Sequence, residues 1–297
     1  MTDERATWRA EALGPARTLD LGGGRRIRAH VTGAGPPVVF VHGALVNANL
    51  WRRVVPLLDG RTRVALDLPL GSHIEAMPRD ADLGPPALAD LIADALAALE
   101  LEDVTIVGSD TGGGLTQILA TRRPERLGRV VLTSCDAFEN FPPKLFRYVL
   151  APARVPGAIP FAFAGLRVRR LRRLPIAYGW LSNEPPEPEA EDSYVLPVLT
   201  RGGIRRDVRK LLSGLDPTYT LDAAAKLASW DRPALIAWSE KDRFFPTEHA
   251  ERLAKVIPNA RLEWIEGART FSMEDEPERV AAVIGSFMRE SAGAPAA

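Results

Sequence analysis

The 297-residue sequence contains one cysteine, four histidines, no excess of either charge and no long apolar run. The lone Cys135 excludes an intrachain disulfide and is typical of a reducing compartment. Basic and acidic residues balance at 38 each, so the net charge gives no reason to expect a nucleic-acid or membrane partner. No segment approaches the roughly 20 apolar residues of a membrane span, and residues 1–14 show no signal-peptide pattern. We therefore expect a cytoplasmic protein whose partner is a small molecule.

Short apolar runs alternate with helical segments over much of the chain. Residues 37–41, 104–108 and 129–134 have the continuous apolar character of strands buried on both faces. Residues 86–99 carry alanine and leucine at the spacing of a helix core, and residues 50–58 also have helical spacing. This alternation predicts an α/β fold, with a mainly parallel sheet and helices on both of its faces.

The alternation stops in the middle of the sequence. Residues 138–229 contain helical pieces broken by proline and no convincing buried strand, and strand–helix alternation resumes after them. We predict a core made of residues 1–137 and 230–297, interrupted by an all-helical cap at 138–229. The length suits one domain with an insertion better than two independent domains, and it leaves a homodimer possible.

A glycine-rich motif follows the predicted strand at 104–108. Residues 108–112 read Gly-Ser-Asp-Thr-Gly, the glycine–x–nucleophile–x–glycine arrangement of a sharp strand-to-helix turn. Such a turn lifts its central side chain, here Asp110, above the sheet edge and places it at a helix N-terminus, where an anion is favoured. Ser109 lies one residue too early and is expected to point away from the cleft. The alternative is a glycine-rich turn that only begins a helix.

The motif and three other segments carry a family resemblance. They are residues 41–44 (Val-His-Gly-Ala), Trp51 and residues 274–277 (Glu-Asp-Glu-Pro). Together the chain resembles the haloalkane dehalogenase and epoxide hydrolase branch of the α/β hydrolases over about residues 17–290. The resemblance implies the α/β-hydrolase fold with a mostly parallel eight-stranded sheet, and no cofactor or metal. It also implies a two-step reaction, in which Asp110 attacks an sp³ carbon and a histidine-activated water hydrolyses the ester.

The resemblance also implies roles for neighbouring residues. Backbone N–H groups of Ala44 and Thr111 would form the oxyanion hole, which leaves their side chains free to vary. Asp242 takes the place of the acid that orients the histidine, with a helix-flanking turn residue as the alternative. Asp136 matches an alternative acid position in some haloalkane dehalogenases, or is a solvated loop carboxylate. His42 is interpreted as a structural, hydrogen-bonded histidine of the strand end rather than as a catalyst, and it is also a candidate substrate contact.

The histidine that such an enzyme needs is missing. Its position, in a glycine–x–x–histidine stretch after the last strand, is taken by Thr270, which cannot accept a proton from water. His73 is a candidate substitute at the cleft mouth, although it starts far from the usual base position. Without an imidazolium, two carboxylates would repel, so one of them should take up a proton unless a cation such as Arg269 compensates.

Several cap residues are candidates for substrate contact. Tyr148, Tyr178 and Tyr194 could donate a proton to an opening ring oxygen or simply pack, and Phe271 lies beside the threonine that replaces histidine. Residues 167–173 contain five arginines. We interpret them as a solvated helical face whose charge is balanced by the acidic segment 184–192, with anion binding as the alternative. The sequence thus predicts an enzyme acting on a small organic molecule by ring opening, cyclisation, elimination or isomerisation. The alternative is a non-catalytic binding protein.

Overall fold

The computed structural model describes residues 2–155 and 157–291, and its centre is one eight-stranded sheet. The strands are β1 Ala16–Asp20, β2 Arg26–Thr32, β3 Pro37–Val41, β4 Thr62–Asp67, β5 Val104–Asp110, β6 Leu127–Cys135, β7 Ala234–Ser239 and β8 Ala260–Ile265. Their spatial order is β1-β2-β4-β3-β5-β6-β7-β8. β1 and β2 pair antiparallel, as does β2 with β4, whereas every later pair is parallel. The predicted α/β fold with a mainly parallel sheet is confirmed.

The central strands are buried because their side chains are apolar on both faces. All seven residues of β5 and all six of β7 are buried, as expected for parallel strands covered on both sides by other elements. The flanking α-helices are Pro85–Ala98, Thr111–Arg122, Thr247–Val256, Ser272–Asp275 and Pro277–Ser291, and a short helix, Thr2–Thr7, precedes β1. This arrangement brings the carboxyl ends of β3, β5, β6 and β7 to one edge of the sheet.

One predicted helix is absent. Residues 50–58 do not form a continuous α-helix but lie in two 3₁₀ turns, Ala48–Trp51 and Val55–Leu57. Pro56 stands at the start of the second turn and has no N–H to donate to the preceding turn, so a regular helix is interrupted there. The helical spacing of apolar residues therefore correctly indicated a buried face, but the prediction of an α-helix was wrong.

Between β6 and β7 lies a helical insertion, defined here as the described residues from 138 to 229. It has no strand in its described part, and its α-helices are Arg147–Arg154, Ile159–Ala162, Arg169–Arg172, Pro188–Thr200, Gly202–Gly214 and Pro217–Leu227. Buried polar contacts fasten it to the core: the amides of Asn47 and Asn49 both donate to the Ser193 hydroxyl, at 3.2 and 2.9 Å. No helix within 2–155 or 157–291 is long and apolar enough to cross a bilayer.

Candidate active site

Asp110 stands at the sharp turn between β5 and the helix Thr111–Arg122. Its backbone has φ 53° and ψ −133°, a left-handed conformation that non-glycine residues rarely adopt. Strain of this kind persists only where the surroundings fix it, and it is concentrated at functional sites. The geometry is that of the strand–turn–helix elbow predicted from residues 108–112.

Three glycines allow the turn to press against the neighbouring strand ends. A Cβ on Gly43 would lie 2.1 Å from Oδ2 of Asp110, and one on Gly112 would lie 2.4 Å from the carbonyl oxygen of His42. A Cβ on Gly113 would lie 2.3 Å from the Cβ of Cys135. These positions exclude any side chain, so the carboxyl group of Asp110 lies directly against the backbone that follows β3.

Asp110 faces a cavity of about 380 Å³ between the sheet edge and the helical insertion. From the core, the cavity is lined by Ala44, Leu45 and Asp110. The insertion contributes mainly apolar side chains, among them Phe146, Phe163, Leu166, Leu171, Leu174, Ile176 and Leu181, together with Tyr148 and Tyr178. Because Asp110 is the one acidic side chain among these lining residues, the cavity favours an apolar ligand presented to a single carboxyl group.

The surroundings of Asp110 favour its neutral form. Burial is the main cause that raises its pKa to about 7, and the nearby Asp242 carboxylate raises it further. The backbone N–H of Thr111 donates to the Asp110 carboxylate and opposes this rise, as does the Thr111 hydroxyl, 3.5 Å from Oδ1. The direction of this shift agrees with the expected proton uptake, and burial contributes more to it than repulsion between the two acids.

Asp242 follows β7 and is held by three hydrogen-bond donors. Its Oδ1 accepts from the backbone N–H groups of Phe244 and Phe245 at 2.8 and 2.9 Å, and from the Thr270 hydroxyl at 2.9 Å. The nearby Ser134 hydroxyl also lowers the pKa of this carboxyl group. Burial raises the pKa of Asp242 in spite of these bonds, and its Oδ2 is buried with no hydrogen-bond partner among the described residues.

Thr270 follows β8 and is completely buried. Its hydroxyl donates its proton in the bond to Asp242, and a threonine hydroxyl has no basicity near neutral pH. The structure thus brings Asp242 and Thr270 together, with Asp110 close enough for its pKa to be affected by Asp242.

Asp136 lies behind the elbow rather than in the cavity. It is completely buried, its N–H donates to the carbonyl of Asp110, and neither carboxylate oxygen has a well-formed hydrogen bond within the described chain. Burial and then the charge of Asp110 raise its pKa well above the usual range. Cys135, also buried beside these acids, has a raised pKa for the same reasons. Asp136 is consequently a buried acid whose neutral form is favoured, and the alternative of a solvated loop carboxylate is wrong.

His42 is a structural residue of the strand end. Its Nδ1 is 2.8 Å from the Gly43 carbonyl, and its Nε2 accepts the backbone N–H of Leu68 at 2.9 Å. Burial lowers the pKa of His42 to about 4, so the ring is neutral. It does not line the cavity, which corrects its assignment as a substrate contact and agrees with its interpretation as a structural histidine.

The other three histidines are also bonded away from Asp110. His73 is buried, with Nε2 3.2 Å from Asp207, and it does not line the cavity, so the prediction of a place at the cleft mouth is wrong. His249 is buried near Glu139, and the His30 ring lies 3.2 Å from the Gly14 carbonyl in the first hairpin.

The remaining candidates divide between cavity and core. Tyr148 and Tyr178 line the cavity, and the Tyr178 hydroxyl donates to the Leu45 carbonyl at 2.7 Å. Burial raises the pKa of Tyr178, and the charge of Asp110 adds to this. Tyr194 and Phe271 are almost completely buried and do not reach the cavity, so Phe271 is corrected to a packing residue.

Arg269 does not compensate the two acids. Its guanidinium donates to the backbone carbonyls of Gly179 and Ser182 at 3.2 and 3.0 Å, which connects the β8 loop to the helical insertion. The cation between Asp110 and Asp242 that the sequence suggested is therefore directed elsewhere. Within the described part of the chain, no group of three or more histidine, cysteine, aspartate or glutamate side chains is arranged to hold a metal ion.

Sequence reasoning missed Ser134, whose hydroxyl lowers the pKa of Asp242 and accepts the backbone N–H of Ser239 at 3.1 Å. The signal was its place at the carboxyl end of β6, where side chains of neighbouring parallel strands meet. It also missed Leu45, which lines the cavity and has a left-handed φ of 59°.

A family model described as the alpha/beta hydrolase fold matches residues 36–277. The chain belongs to the α/β-hydrolase fold family. This α/β hydrolase is 29% identical to an uncharacterized protein of Mycobacterium tuberculosis, over 89% of this chain and 79% of that protein. It is 27% identical to a 2-hydroxymuconate semialdehyde hydrolase of a Pseudomonas species, over 90% and 92% of the two chains. A haloalkane dehalogenase of Agrobacterium tumefaciens has a similar fold, with a TM-score of 0.78, 21% identity and coverage of 95% and 99%.

Proposed function

We propose that this α/β hydrolase is an enzyme that acts on an apolar small molecule by proton transfer through Asp110, not by ordinary hydrolysis. The observation that carries the proposal is a buried carboxyl group with a pKa of about 7, exposed to an apolar cavity and without a bonded histidine. A group that titrates near neutrality is suited to both removing and returning a proton.

In the proposed chemistry, Asp110 acts as both the base and the acid. As the carboxylate, Asp110 removes a proton from carbon or a hydroxyl of the substrate, and as the acid it returns that proton to another atom or releases it with a leaving group. Isomerisation, cyclisation and elimination are reactions of this class, and none of them needs a water molecule to be activated. The backbone N–H of Thr111, which donates to the carboxylate, keeps Asp110 oriented through both states.

Hydrolysis is disfavoured because its second step has no base. In the family pattern, Asp110 occupies the nucleophile position, Asp242 the acid and Thr270 the place of the histidine. A threonine hydroxyl already bonded to an acid cannot take a proton from water. Loss of a general base typically costs about two to four powers of ten in rate, so an ester on Asp110 would persist.

In this proposal the helical insertion acts as a cap that excludes water and selects the substrate. Its apolar side chains form most of the cavity wall, and Tyr178 joins it to the core through the Leu45 carbonyl. An apolar wall around an ionisable group also maintains the raised pKa of Asp110, since both result from the exclusion of water.

The test is incorporation of deuterium from heavy water into apolar ketones, epoxides and unsaturated compounds, followed by nuclear magnetic resonance. We expect exchange by the wild-type protein, and a fall of about two to four powers of ten in Asp110→Asn. The rate of the base-dependent step should rise with pH through about 7, because only the ionised carboxyl removes a proton. Thr270→Val is the control that keeps the carboxyl group of Asp110 in place.

Two outcomes would contradict the proposal. A stable covalent adduct on Asp110 without exchange would mean that the residue is a nucleophile, as in haloalkane dehalogenases. Saturable binding of the same compounds, with neither exchange nor adduct, would favour a non-catalytic binding protein.

A further inference from the structure

The part of the helical insertion nearest the cavity has an unusual charge balance. Residues 141–183 contain eight lysines and arginines and no aspartate or glutamate, although the whole chain has no net charge. The compensating acids lie elsewhere in the chain, so the neutrality of the sequence conceals a strongly basic region. Net charge alone therefore could not indicate what this surface attracts.

The mouth of the cavity is built from exposed apolar side chains. Tyr148, Leu171, Leu174 and Ile176, here called the rim, line the cavity and are nevertheless 39–63% exposed. In the same segment, Phe161 is 83% exposed. Contiguous exposed apolar surface on a folded domain marks a docking site or a lipid contact more often than chance.

Arginines alternate with the rim residues along the chain, and the structure separates them into two groups. Arg169 and Arg172 are paired with Asp192 at 2.6 and 2.7 Å, as the predicted pairing with the acidic segment requires. Arg167 and Arg170 are exposed and make no ion pair or side-chain hydrogen bond to any residue in the described ranges.

Arg173 belongs to the second group. It is exposed and has no ion pair within bonding distance in the described chain, although its charge lowers the pKa of Glu191. Arg167, Arg170 and Arg173, here called the free arginines, therefore offer three charges to an external anion. They flank Leu171 and Leu174 of the rim in the sequence, so exposed cationic and apolar groups lie together in one short segment.

We propose that the rim and the free arginines dock this protein on a membrane surface that contains anionic phospholipid. Exposed apolar side chains would enter the boundary between headgroups and acyl chains, while the arginines would contact phosphate groups, as in other surface-bound proteins. The cavity mouth would then open towards the lipid. The substrate class that follows, given the proposed function, is an apolar or amphiphilic molecule dissolved in the bilayer.

The same features disfavour other occupants. A nucleic acid would satisfy the arginines but would leave the apolar rim against a polar backbone. A second copy of the chain joined through the same patch would bring its free arginines against their counterparts, which is repulsive. An anionic lipid surface can contact both the free arginines, through its phosphate groups, and the rim, through its acyl chains.

The test is flotation of the purified protein with vesicles of phosphatidylcholine alone or mixed with phosphatidylglycerol. We expect flotation with the mixed vesicles only, and a decrease at high salt because screening shortens the range of the attraction. The triple variant Arg167→Gln/Arg170→Gln/Arg173→Gln should partition about a hundredfold less, at roughly fivefold per arginine. Phe161→Ser should lower partitioning by about tenfold through lost apolar contact.

The matched control is Arg17→Gln/Lys255→Gln/Arg289→Gln, which removes three exposed cations outside the insertion and should float like the wild type. Equal flotation of the free-arginine variant and this control would overturn the proposal, as would binding that does not depend on phosphatidylglycerol. Absence of flotation together with a dimer that Phe161→Ser dissociates would assign the surface to self-association. No substrate is used, so the result is independent of the proposed chemistry.

Discussion

Replacing Asp110 by asparagine should stabilise the protein at neutral and alkaline pH. The two side chains have nearly the same size, and asparagine tolerates the left-handed φ of 53° at this position. The difference between them is that asparagine cannot ionise in the buried site. The substitution therefore isolates the energetic effect of a charge at the elbow.

The magnitude follows from the pKa of Asp110, which rises from 3.8 to about 7 on folding. A raised folded-state pKa gives stability that is complete below 3.8 and is lost as the pH rises through about 7. A change of about three units corresponds to roughly 4 kcal/mol at 1.36 kcal/mol per unit. Relative to the wild type, Asp110→Asn should thus gain about 2 kcal/mol near pH 5 and about 4 kcal/mol near pH 8.

Urea unfolding of both proteins at the two pH values measures these gains through the transition midpoints and slopes. Asp59→Asn is the control, because the Asp59 side chain is 95% exposed and its replacement should change stability equally at both pH values. A gain for Asp110→Asn that does not grow between about pH 5 and about pH 8 would refute the reasoning, because the wild-type carboxyl would then not carry a buried charge.

Three further substitutions test other contacts. Glu274→Gln removes the charge of the buried partner of Arg52, at 2.9 Å in one of its bonds, while Glu187 stays bonded to the same guanidinium. It should cost about 1.5–3 kcal/mol of unfolding free energy in urea titrations, and a loss below about 0.5 kcal/mol would contradict this. Gly43→Ala places a Cβ 2.1 Å from Oδ2 of Asp110, so the carboxyl group must move. The deuterium-exchange rate should fall about a hundredfold, and an unchanged rate would contradict the close packing of Gly43 against Asp110. Tyr178→Phe loses a hydrogen bond to a backbone carbonyl and should lower stability by about 1 kcal/mol, with no change indicating a solvated hydroxyl.

The fold was predictable where local pattern and burial agree. Continuous apolar runs such as residues 37–41 identify parallel strands because both faces of the sheet are covered. The elbow was predictable because the glycines around Asp110 permit a turn that few other sequences allow. The 3₁₀ turns at 48–57 were not predictable, since apolar spacing reports which face is buried and not which hydrogen bonds form.

The arrangement of the site depended on contacts that spacing does not encode. The bond between Thr270 and Asp242 was implied by their positions after neighbouring strands, β8 and β7. The contact between His73 and Asp207 was not predictable, because Asp207 lies 134 residues further along the chain, in the helical insertion. Arg269 likewise turned to carbonyls of the insertion, since a guanidinium can satisfy its donors at any nearby backbone oxygen.

The central claim is that no base beside Asp110 activates water. Its most direct test is product analysis of the wild-type and Thr270→His proteins with epoxides and haloalkanes. Intact mass reports any ester on Asp110, and chromatography reports the diol or alcohol released from it. We expect that the wild type releases no hydrolysis product from any compound that alkylates Asp110, and that Thr270→His does, because its imidazole would lie beside Asp242. Multiple turnovers of hydrolysis by the wild type, without an accumulating ester, would contradict the account.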